Sequence, residues 1–239
     1  MTDNSSTMGK QGTVINMHIV DLNPLLTVAT TLEEVLQHTE ELWSAIYDEM
    51  SPDESLWVFV PNRYSDGEFW PAAMAVADDV RTETSFVLKN IITRYRNPAG
   101  GGDMKNVYEE ILFLVKDKRA YRFNKDEIRV AHVYEGNEWG GERTKGSSAY
   151  HDAEVQRYNP NGKDPGNVWL EEIRDQSSGE TVDETKPLPR NEALKRCIRA
   201  GSNEGESVHL WLCDDSFEET VVNENREPMV RSIERSSVQ

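Results

Sequence analysis

The turn that follows the first apolar strand carries side chains that could do chemistry. It reads Asp21-Leu-Asn-Pro24 and comes after Thr13–Val20, where apolar and polar residues alternate as in a strand that ends in a loop. Asp21 supplies a carboxylate and Asn23 an amide oxygen, and both groups accept hydrogen bonds. The turn is therefore either a hydrogen-bond-accepting site or a polar connection that only ends the strand.

A second polar stretch, Asn159–Trp169, combines two Asn/Asp-Pro turn signals, two glycines and a lysine ahead of an apolar Val-Trp pair. Glycine and proline at this density favour a tight turn with an exposed backbone. The sequence therefore predicts a loop that leads into a buried element.

The five histidines and two cysteines do not share the spacing of a metal site, so we expect no metal. His209 and Cys213 are four residues apart, but a predicted strand would not make them converge. Cys197 and Cys213 fit a reducing cytosol better than a structural disulfide. The sequence contains no apolar run of 18 residues and no signal peptide, so we expect a soluble, cytoplasmic protein without a membrane partner.

Apolar periodicity predicts helices and strands in alternation. The clearest helix is Thr31–Met50, because Thr31 and Glu34 form a capping box ahead of an apolar face. Further helices are predicted at Phe69–Val80 and Asn191–Ala200, and strands at Leu56–Val60, Phe86–Tyr95, Ile111–Val115 and Ser207–Leu212. This order predicts an α/β fold with a central, mostly parallel sheet flanked by helices.

The length of 239 residues fits one large domain. We expect a disordered leader at residues 1–12, which are rich in Ser, Thr, Asn and Gly, and a single domain at 13–239. Two polar loops are predicted inside it, at Glu135–Ser148 and Gln176–Thr185.

Several segments resemble, in order, the DNA amino-methyltransferases, which methylate the exocyclic nitrogen of adenine or cytosine. Asn159–Trp169 is similar to the family's N-P-K-G-K-N-P-G-D-V-W loop. Lys89–Ile92 resembles its N-x-I-I-W strand, Glu110–Lys116 its E-x-I-L-F-F-x-K strand, and Tyr121–Arg129 its Y-x-F-x-x-D-x-V-R segment. The order matches the circularly permuted type, in which the catalytic loop precedes the cofactor loop. The resemblance implies the Rossmann-like fold of S-adenosylmethionine-dependent methyltransferases.

The resemblance also implies S-adenosylmethionine as the cofactor, held by a loop of the form V-L-D-P-F-x-G-S-G-T-T. This chain has Leu212 at the aromatic position and Asp214 and Ser216 at the two glycine positions. Glycine lets a backbone approach a ligand closely, whereas these side chains would fill the space. Asp214 would also repel the carboxylate of the cofactor, by roughly 4 kcal/mol at about 4 Å and an effective dielectric near 20. Lys186 and Glu234 are the other candidates for cofactor contact.

The catalytic turn of the family is [D/N/S]-P-P-[Y/F/W]. Its first residue and a carbonyl accept hydrogen bonds from the target amine, and its aromatic residue stacks on the flipped base. By this resemblance Asp21, Asn23 and Pro24 are the candidate catalytic residues. The turn can be aligned on Asp21 or on Asn23-Pro24, and either alignment leaves no aromatic residue to stack on a base and only one proline.

One segment is basic in an otherwise acidic chain. Phe86–Val130 carries ten Lys and Arg against six acids, whereas the whole chain has a net charge of −17. Such asymmetry is expected of a phosphate-contacting surface, and a solvated face is the alternative. The predicted DNA contacts are Arg94, Arg96, Lys105 and Arg129 from this segment, and Lys163 from Asn159–Trp169, which we call the glycine loop.

These patterns indicate a degenerate, non-catalytic relative of the DNA amino-methyltransferases, which binds DNA weakly and non-specifically or pairs with an active subunit. One alternative is an active, site-specific methyltransferase of adenine N6 or cytosine N4, as in restriction–modification. Another is an interaction protein without a nucleic-acid role. Glu135–Ser148 lies where the family places target recognition.

The acidic composition generates a first prediction. With 43 Asp and Glu against 26 Lys and Arg, the chain resembles proteins of a salt-saturated cytoplasm. Lowering KCl from molar to ~0.1 M lengthens the Debye length from about 3 to about 10 Å, so carboxylates repel one another over a longer range. We expect the melting temperature, followed by circular dichroism, to fall over this interval. An unchanged midpoint would contradict the halophilic interpretation.

Overall fold

A computed structural model of the chain describes residues 16–99, 104–131, 159, 161–172 and 185–232. Its strands are β1 (Met17–Asp21), β2 (Ser55–Pro61), β3 (Arg63–Ser65), β4 (Glu68–Trp70), β5 (Val87–Ala99), β6 (Asn106–Val115), β7 (Val168–Trp169), β8 (Glu171–Glu172), β9 (Thr185–Lys186), β10 (Ser207–Trp211) and β11 (Glu227–Arg231). Seven of them form one sheet in the order β11-β10-β1-β2-β6-β5-β7, and β3–β4 and β8–β9 form two-stranded ribbons.

The helices alternate with these strands as the sequence predicts. They are α1 (Asn23–Val28), α2 (Leu32–Glu49), α3 (Ala72–Glu83), α4 (Arg190–Gly201), α5 (Asp215–Asn223) and the 3-10 helix Lys125–Ile128. Within the described ranges, no helix is long and apolar enough to cross a membrane.

The sheet is mostly parallel, which confirms the predicted fold class. Strands β11, β10, β1 and β2 run parallel to one another, β6 is antiparallel to both β2 and β5, and β7 is parallel to β5. Both faces of the sheet are covered, so β2 is apolar at successive positions and buried throughout except at its last residue. Alternate side chains of β2 enter two separate cores: Leu56, Val58 and Val60 in one, Trp57 and Phe59 in the other.

Helices cover both cores. Helices α1, α2 and α3 pack on one face of the sheet, and α4 and α5 on the other. Helix α2 begins with the predicted capping box, because Thr31 Oγ1 accepts a hydrogen bond from the Glu34 amide at 3.2 Å and the Glu34 carboxylate accepts one from the Thr31 amide. Its inner face includes Trp43, whose indole donates to Asp79 of α3 at 3.0 Å.

Local turn chemistry corrects the predicted helix Phe69–Val80. Phe69 lies in β4, which pairs with β3 across the turn Asp66-Gly67, where both residues have positive φ. Asp-Gly with this backbone is a strong hairpin signal. Pro71 then precedes α3, which runs to Glu83, because proline is tolerated at a helix start and not in its interior. Residues 1–12 and the predicted loop Glu135–Ser148 lie outside the described residues.

The chain leaves two neighbouring strands in opposite directions. From β1 it passes through α1 and α2 to β2, whereas from β10 it passes through α5 to β11 on the other side. In open α/β sheets, a crevice forms at the carboxyl ends of two such strands, and ligands commonly bind there. This crevice lies between Asp21 and Leu212, where the two predicted loops begin.

A pair of buried histidines lies deeper in the same two strands. His18 of β1 and His209 of β10 are register partners, with ring centroids 4.6 Å apart. His209 Nδ1 lies 2.8 Å from a carboxylate oxygen of Glu49. Burial, and then the neighbouring His18, lower the pKa of His209 from 6.5 to about 4.

This pKa makes stability depend on pH. Between pH 6.5 and 4 the unfolded chain binds a proton at His209 that the folded chain does not, so stability is lost as the pH falls. From about pH 7 to about pH 5, the loss should reach up to about 2 kcal/mol. Denaturant unfolding in molar KCl should show it, and His209→Asn should reduce the pH dependence.

Candidate functional site

Asp21 lies at the end of β1, in the crevice, with only 1% of its surface exposed. Both of its carboxylate oxygens bind the guanidinium of Arg190, the first residue of α4: Nη1 donates to Oδ2 at 2.9 Å and Nη2 to Oδ1 at 2.7 Å. The backbone N–H of Asn23 also donates to Oδ1, at 2.8 Å. The carboxylate therefore has three protein donors.

The same arginine binds a second acid. Arg190 Nε donates to Glu109 Oε1 on β6 at 3.0 Å. The other oxygen of Glu109 accepts bonds from Arg94 on β5, through Nε at 3.1 Å and through Nη2. Arg94 Nη1 donates in turn to the Leu188 carbonyl at 2.6 Å. The result is a chain of alternating charges, Asp21–Arg190–Glu109–Arg94, which we call the charge chain.

Two aromatic rings enclose the central arginine. The guanidinium carbon of Arg190 lies 5.4 Å from the ring centroid of Phe59 on β2 and 5.4 Å from that of Phe217 on α5. A cation over an aromatic face is attracted by its quadrupole, more strongly where water is excluded. Arg190 and these rings therefore fill the part of the crevice next to Asp21.

The contact between Asp21 and Arg190 is an ionised pair. Burial raises the pKa of Asp21, against the hydrogen bonds and the charge of Arg190, which lower it. Burial would lower the pKa of Arg190, but its contacts with Asp21 and Glu109 outweigh that effect and raise it. Since guanidinium does not lose its proton in proteins and three donors point at Asp21, the pair is an ion pair.

The predicted catalytic turn is a short helix. Asn23 and Pro24 are exposed in the first turn of α1, where proline is well tolerated. Leu26, at one of the positions where the family has its aromatic residue, is buried in the core. The Asn23 side chain lies at a cavity of about 380 Å³, whose wall includes Asn62 and Arg96.

The predicted cofactor loop is a tight connection of three residues, Leu212 to Asp214, between β10 and α5. Leu212 adopts a left-handed backbone with φ of 58°. Asp214 is the N-cap of α5: its Oδ1 accepts from the Ser216 amide at 3.0 Å and from the Ser216 hydroxyl. The structure thus brings Asp214 and Ser216 together with each other, as a helix cap. Lys186 is exposed on β9, and Glu234 lies outside the described residues.

Most of the residues predicted to contact DNA bind other groups of the protein instead. Arg94 requires a correction: it is buried and neutralised by Glu109, so it cannot reach a phosphate. Arg96 donates to the carbonyls of Tyr108 and Asn62, and Arg129 to Asp126 at 2.6 Å. Lys163 is half-buried and pairs through its backbone with Val130. Lys105 is exposed.

The sequence did not reveal Arg190, Glu109, Phe59 or Phe217 as site residues. Asp21 and Arg190 are 169 positions apart, so no local spacing connects them. One signal was available: Glu109 interrupts the apolar pattern of β6 at a buried position. An acid buried in a strand needs a cationic partner.

A DNA methylase family model for N6 and N4 enzymes matches residues 28–209, about three quarters of the chain. The chain belongs to the N6/N4 DNA methylase family. The match begins after the turn Asp21–Leu26 and ends before the loop Leu212–Phe217. This turn and this loop, which diverge from the motifs of the DNA methylase family, therefore both lie outside the matched region.

Solved structures support the same fold. The chain is similar to a protein described as a DNA modification methylase from Thermus thermophilus, with a TM-score of 0.54, 16% identity, and coverage of 94% of this chain and 83% of that one. For the same protein complexed with S-adenosyl-L-methionine, the TM-score is 0.53 and the identity 15%, with coverage of 93% of this chain and 82% of that one. For PvuII DNA methyltransferase, described as cytosine-N4-specific, the TM-score is 0.59 and the identity 10%, with coverage of 90% of this chain and 74% of that one. At these identities the likeness shows the methyltransferase fold. A comparison with curated proteins finds no match.

The charge chain predicts unequal costs for two arginines of α4. Arg190→Ala leaves Asp21 and Glu109 buried without their shared cation, and should destabilise the DNA methylase fold by about 3 kcal/mol. Arg199 is the matched control: it also binds a carboxylate with two bonds, to Glu224, but its side chain is 44% exposed. Arg199→Ala should cost up to about 1 kcal/mol. Equal losses in denaturant unfolding would show that the charge chain does not stabilise the crevice.

Proposed function

We propose that this DNA methylase family member does not transfer methyl groups and acts instead as a weak, non-specific DNA-binding protein. The observation that carries the first half is the occupation of Asp21 by Arg190. A target amine needs an oxygen that can accept its hydrogen bond, and each oxygen of Asp21 already accepts one from a guanidinium nitrogen within 2.9 Å. Releasing them would break a largely buried ion pair, at a cost of several kcal/mol.

The cofactor side supports the same proposal. The N-terminus of α5 would attract an anionic group of a ligand, but the Asp214 carboxylate already caps it. Side chains also stand at both positions where the family has glycine. These residues do not fit S-adenosylmethionine, and we derive no catalytic step through it.

A second acceptor exists, because Asn23 is exposed at the start of α1. Its side-chain amide oxygen is the other group of this turn that can accept a hydrogen bond from an amine. Helix α1 offers no ring to stack on a base, since Leu25 and Leu26 both pack against the core. Any residual methyl transfer would therefore depend on Asn23, and for this reason the test includes the variant Asn23→Ala.

The DNA half of the proposal rests on the family and on the cations that remain outside. Lys105, Lys118 and Arg119 are exposed within the basic segment, while Arg94, Arg122, Lys125 and Arg129 form ion pairs with acids. Phosphate contacts by a few such residues bind without reading sequence, and they weaken steeply with salt. We place the protein in the cytoplasm, because both of its cysteines are free thiols.

The test is transfer of a tritiated methyl group from S-adenosylmethionine to DNA that lacks methylation, in molar KCl. We expect no incorporation above background and no heat on titration with S-adenosylmethionine. Incorporation that Asn23→Ala or Asp21→Ala abolishes would overturn the proposal and make the chain an enzyme. Incorporation that survives both substitutions would come from a contaminant.

We expect the protein to bind the same DNA, and the salt dependence of its affinity for DNA measures the number of phosphate contacts. Each phosphate contact contributes about −0.9 to the slope of log affinity against log salt for duplex DNA. Lys105→Ala should make this slope shallower by about 1. Arg81, exposed on α3 outside the basic segment, is the control, and Arg81→Ala should leave the slope unchanged. If Lys105→Ala and Arg81→Ala changed the slope equally, the basic segment would not be the DNA-binding surface.

A further inference from the structure

The described part of the glycine loop Asn159–Trp169 forms one wall of a cavity of about 340 Å³ that is separate from the crevice. Asp164, Gly166, Asn167 and Trp169 line that wall. The cavity lies over Phe113, which is four residues along β6 from Glu109. At about 3.3 Å per residue, this places the cavity about 13 Å from the charge chain.

A cluster of aromatic rings lines part of the cavity. Trp57 and Phe113 stack with centroids 4.4 Å apart and planes 17° apart. Phe123 lies beside both rings: its centroid is 5.5 Å from that of Phe113, with planes 33° apart, and 6.5 Å from that of Trp57, with planes 18° apart. Tyr121 and Phe113 are T-shaped at 5.6 Å. Trp57 and Phe113 are buried, whereas Phe123 is 39% exposed, so Phe123 is the ring of this cluster that faces solvent.

Amide groups line the opposite side. Asn167 Nδ2 donates to Asn90 Oδ1 at 3.3 Å and to the Ile91 carbonyl at 3.1 Å, which fixes both side chains at the cavity. The backbone at this point is held as well, because the Thr93 amide donates to the Asn167 carbonyl at 2.8 Å. These bonds use the amino group of Asn167 and the oxygen of Asn90, so Asn167 Oδ1 and Asn90 Nδ2 are the acceptor and the donor that the pair can offer to the edge of a nucleobase.

The rim of the cavity is cationic. Lys89 Nζ lies 4.7 Å from the ring centroid of Tyr121 and donates to the Lys118 carbonyl at 3.3 Å. Lys118 and Arg119 are exposed next to it. Lys125 also lines the cavity, where it is paired with Asp164 at 2.5 Å. The side near Lys89 therefore presents positive charge in a chain whose net charge is −17.

We propose that this cavity binds one unpaired nucleobase together with its phosphate. The base stacks on Phe123, its edge meets the amides of Asn90 and Asn167, and the phosphate lies near Lys89. The cavity volume is at the lower end of the range for small-molecule sites, as a single planar ligand requires. Stacking of a base on an aromatic side chain tolerates any base, so the site does not select sequence.

This site is independent of methyl transfer. It lies outside the crevice and uses residues with no part in the predicted catalytic or cofactor loops. Two sources share its ligand chemistry, a free nucleotide and an extruded or single-stranded base of a nucleic acid. The experiment therefore has one arm for each source.

The probes are thymidine monophosphate and a single-stranded oligothymidylate, titrated by calorimetry in molar KCl. Phe123→Ala should weaken binding about 5- to 150-fold, the range expected for the loss of one base–aromatic stack. The control is Phe69→Ala, which removes a ring of similar exposure, 36%, in the hairpin β3–β4. It should leave the affinity unchanged. Circular dichroism checks that both variants fold.

The two arms separate the sources. Binding of the monophosphate with the Phe123 dependence identifies a nucleotide site, whereas binding of the oligonucleotide alone, with the same dependence, identifies a strand site. Lys89→Ala should make the salt dependence of whichever probe binds shallower. Failure of both probes to bind, or equal effects of Phe123→Ala and Phe69→Ala, overturns the proposal.

Discussion

The charge chain Asp21–Arg190–Glu109–Arg94 is the interaction on which the architecture of the carboxyl edge depends. It joins the end of β1, the start of α4, β6 and β5, which are far apart in sequence. Asp21, Glu109 and Arg94 are each nearly devoid of exposed surface, so each would carry a large desolvation penalty alone. Only together are their hydrogen-bonding groups satisfied, and for that reason the four side chains must be regarded as one unit.

The same unit connects the stability of this edge with the proposal that the protein does not transfer methyl groups. In the DNA methylase family the residue at the end of this strand is expected to bind a substrate amine. Here its oxygens are used to neutralise Arg190, whose guanidinium lies between Phe59 and Phe217. Under that proposal, the ion pair that fixes α4 against the sheet also keeps a substrate amine from Asp21. The opposite wall follows the same pattern, since Asp214 caps α5 and Leu212 turns the chain sharply.

Charge is distributed very differently inside and outside the molecule. Cations of the basic segment are directed inward, where Arg94 and Arg122 bind acids and Lys116 donates to carbonyls at the end of α2. Three other cations of that segment, Lys105, Lys118 and Arg119, are exposed, on a chain whose net charge is −17. Such a surface favours contacts that do not rely on charge alone, and the exposed Phe123 is a group that retains its attraction for a base in high salt.

Local patterns in the sequence determined the class of fold and most of its elements. The capping box at Thr31, the continuous apolar run of β2 and the ordered family segments depend on neighbouring residues, so they could be identified from sequence alone. The hairpin at Asp66-Gly67 had a local signal as well. The tertiary structure decided which charges are buried. Arg94 was expected to contact phosphate and is instead inside, while Arg190 was not expected in the site and is at its centre. The physical reason is that burial and pairing of a charge depend on strands brought together over 169 residues of sequence, and no local pattern encodes that distance.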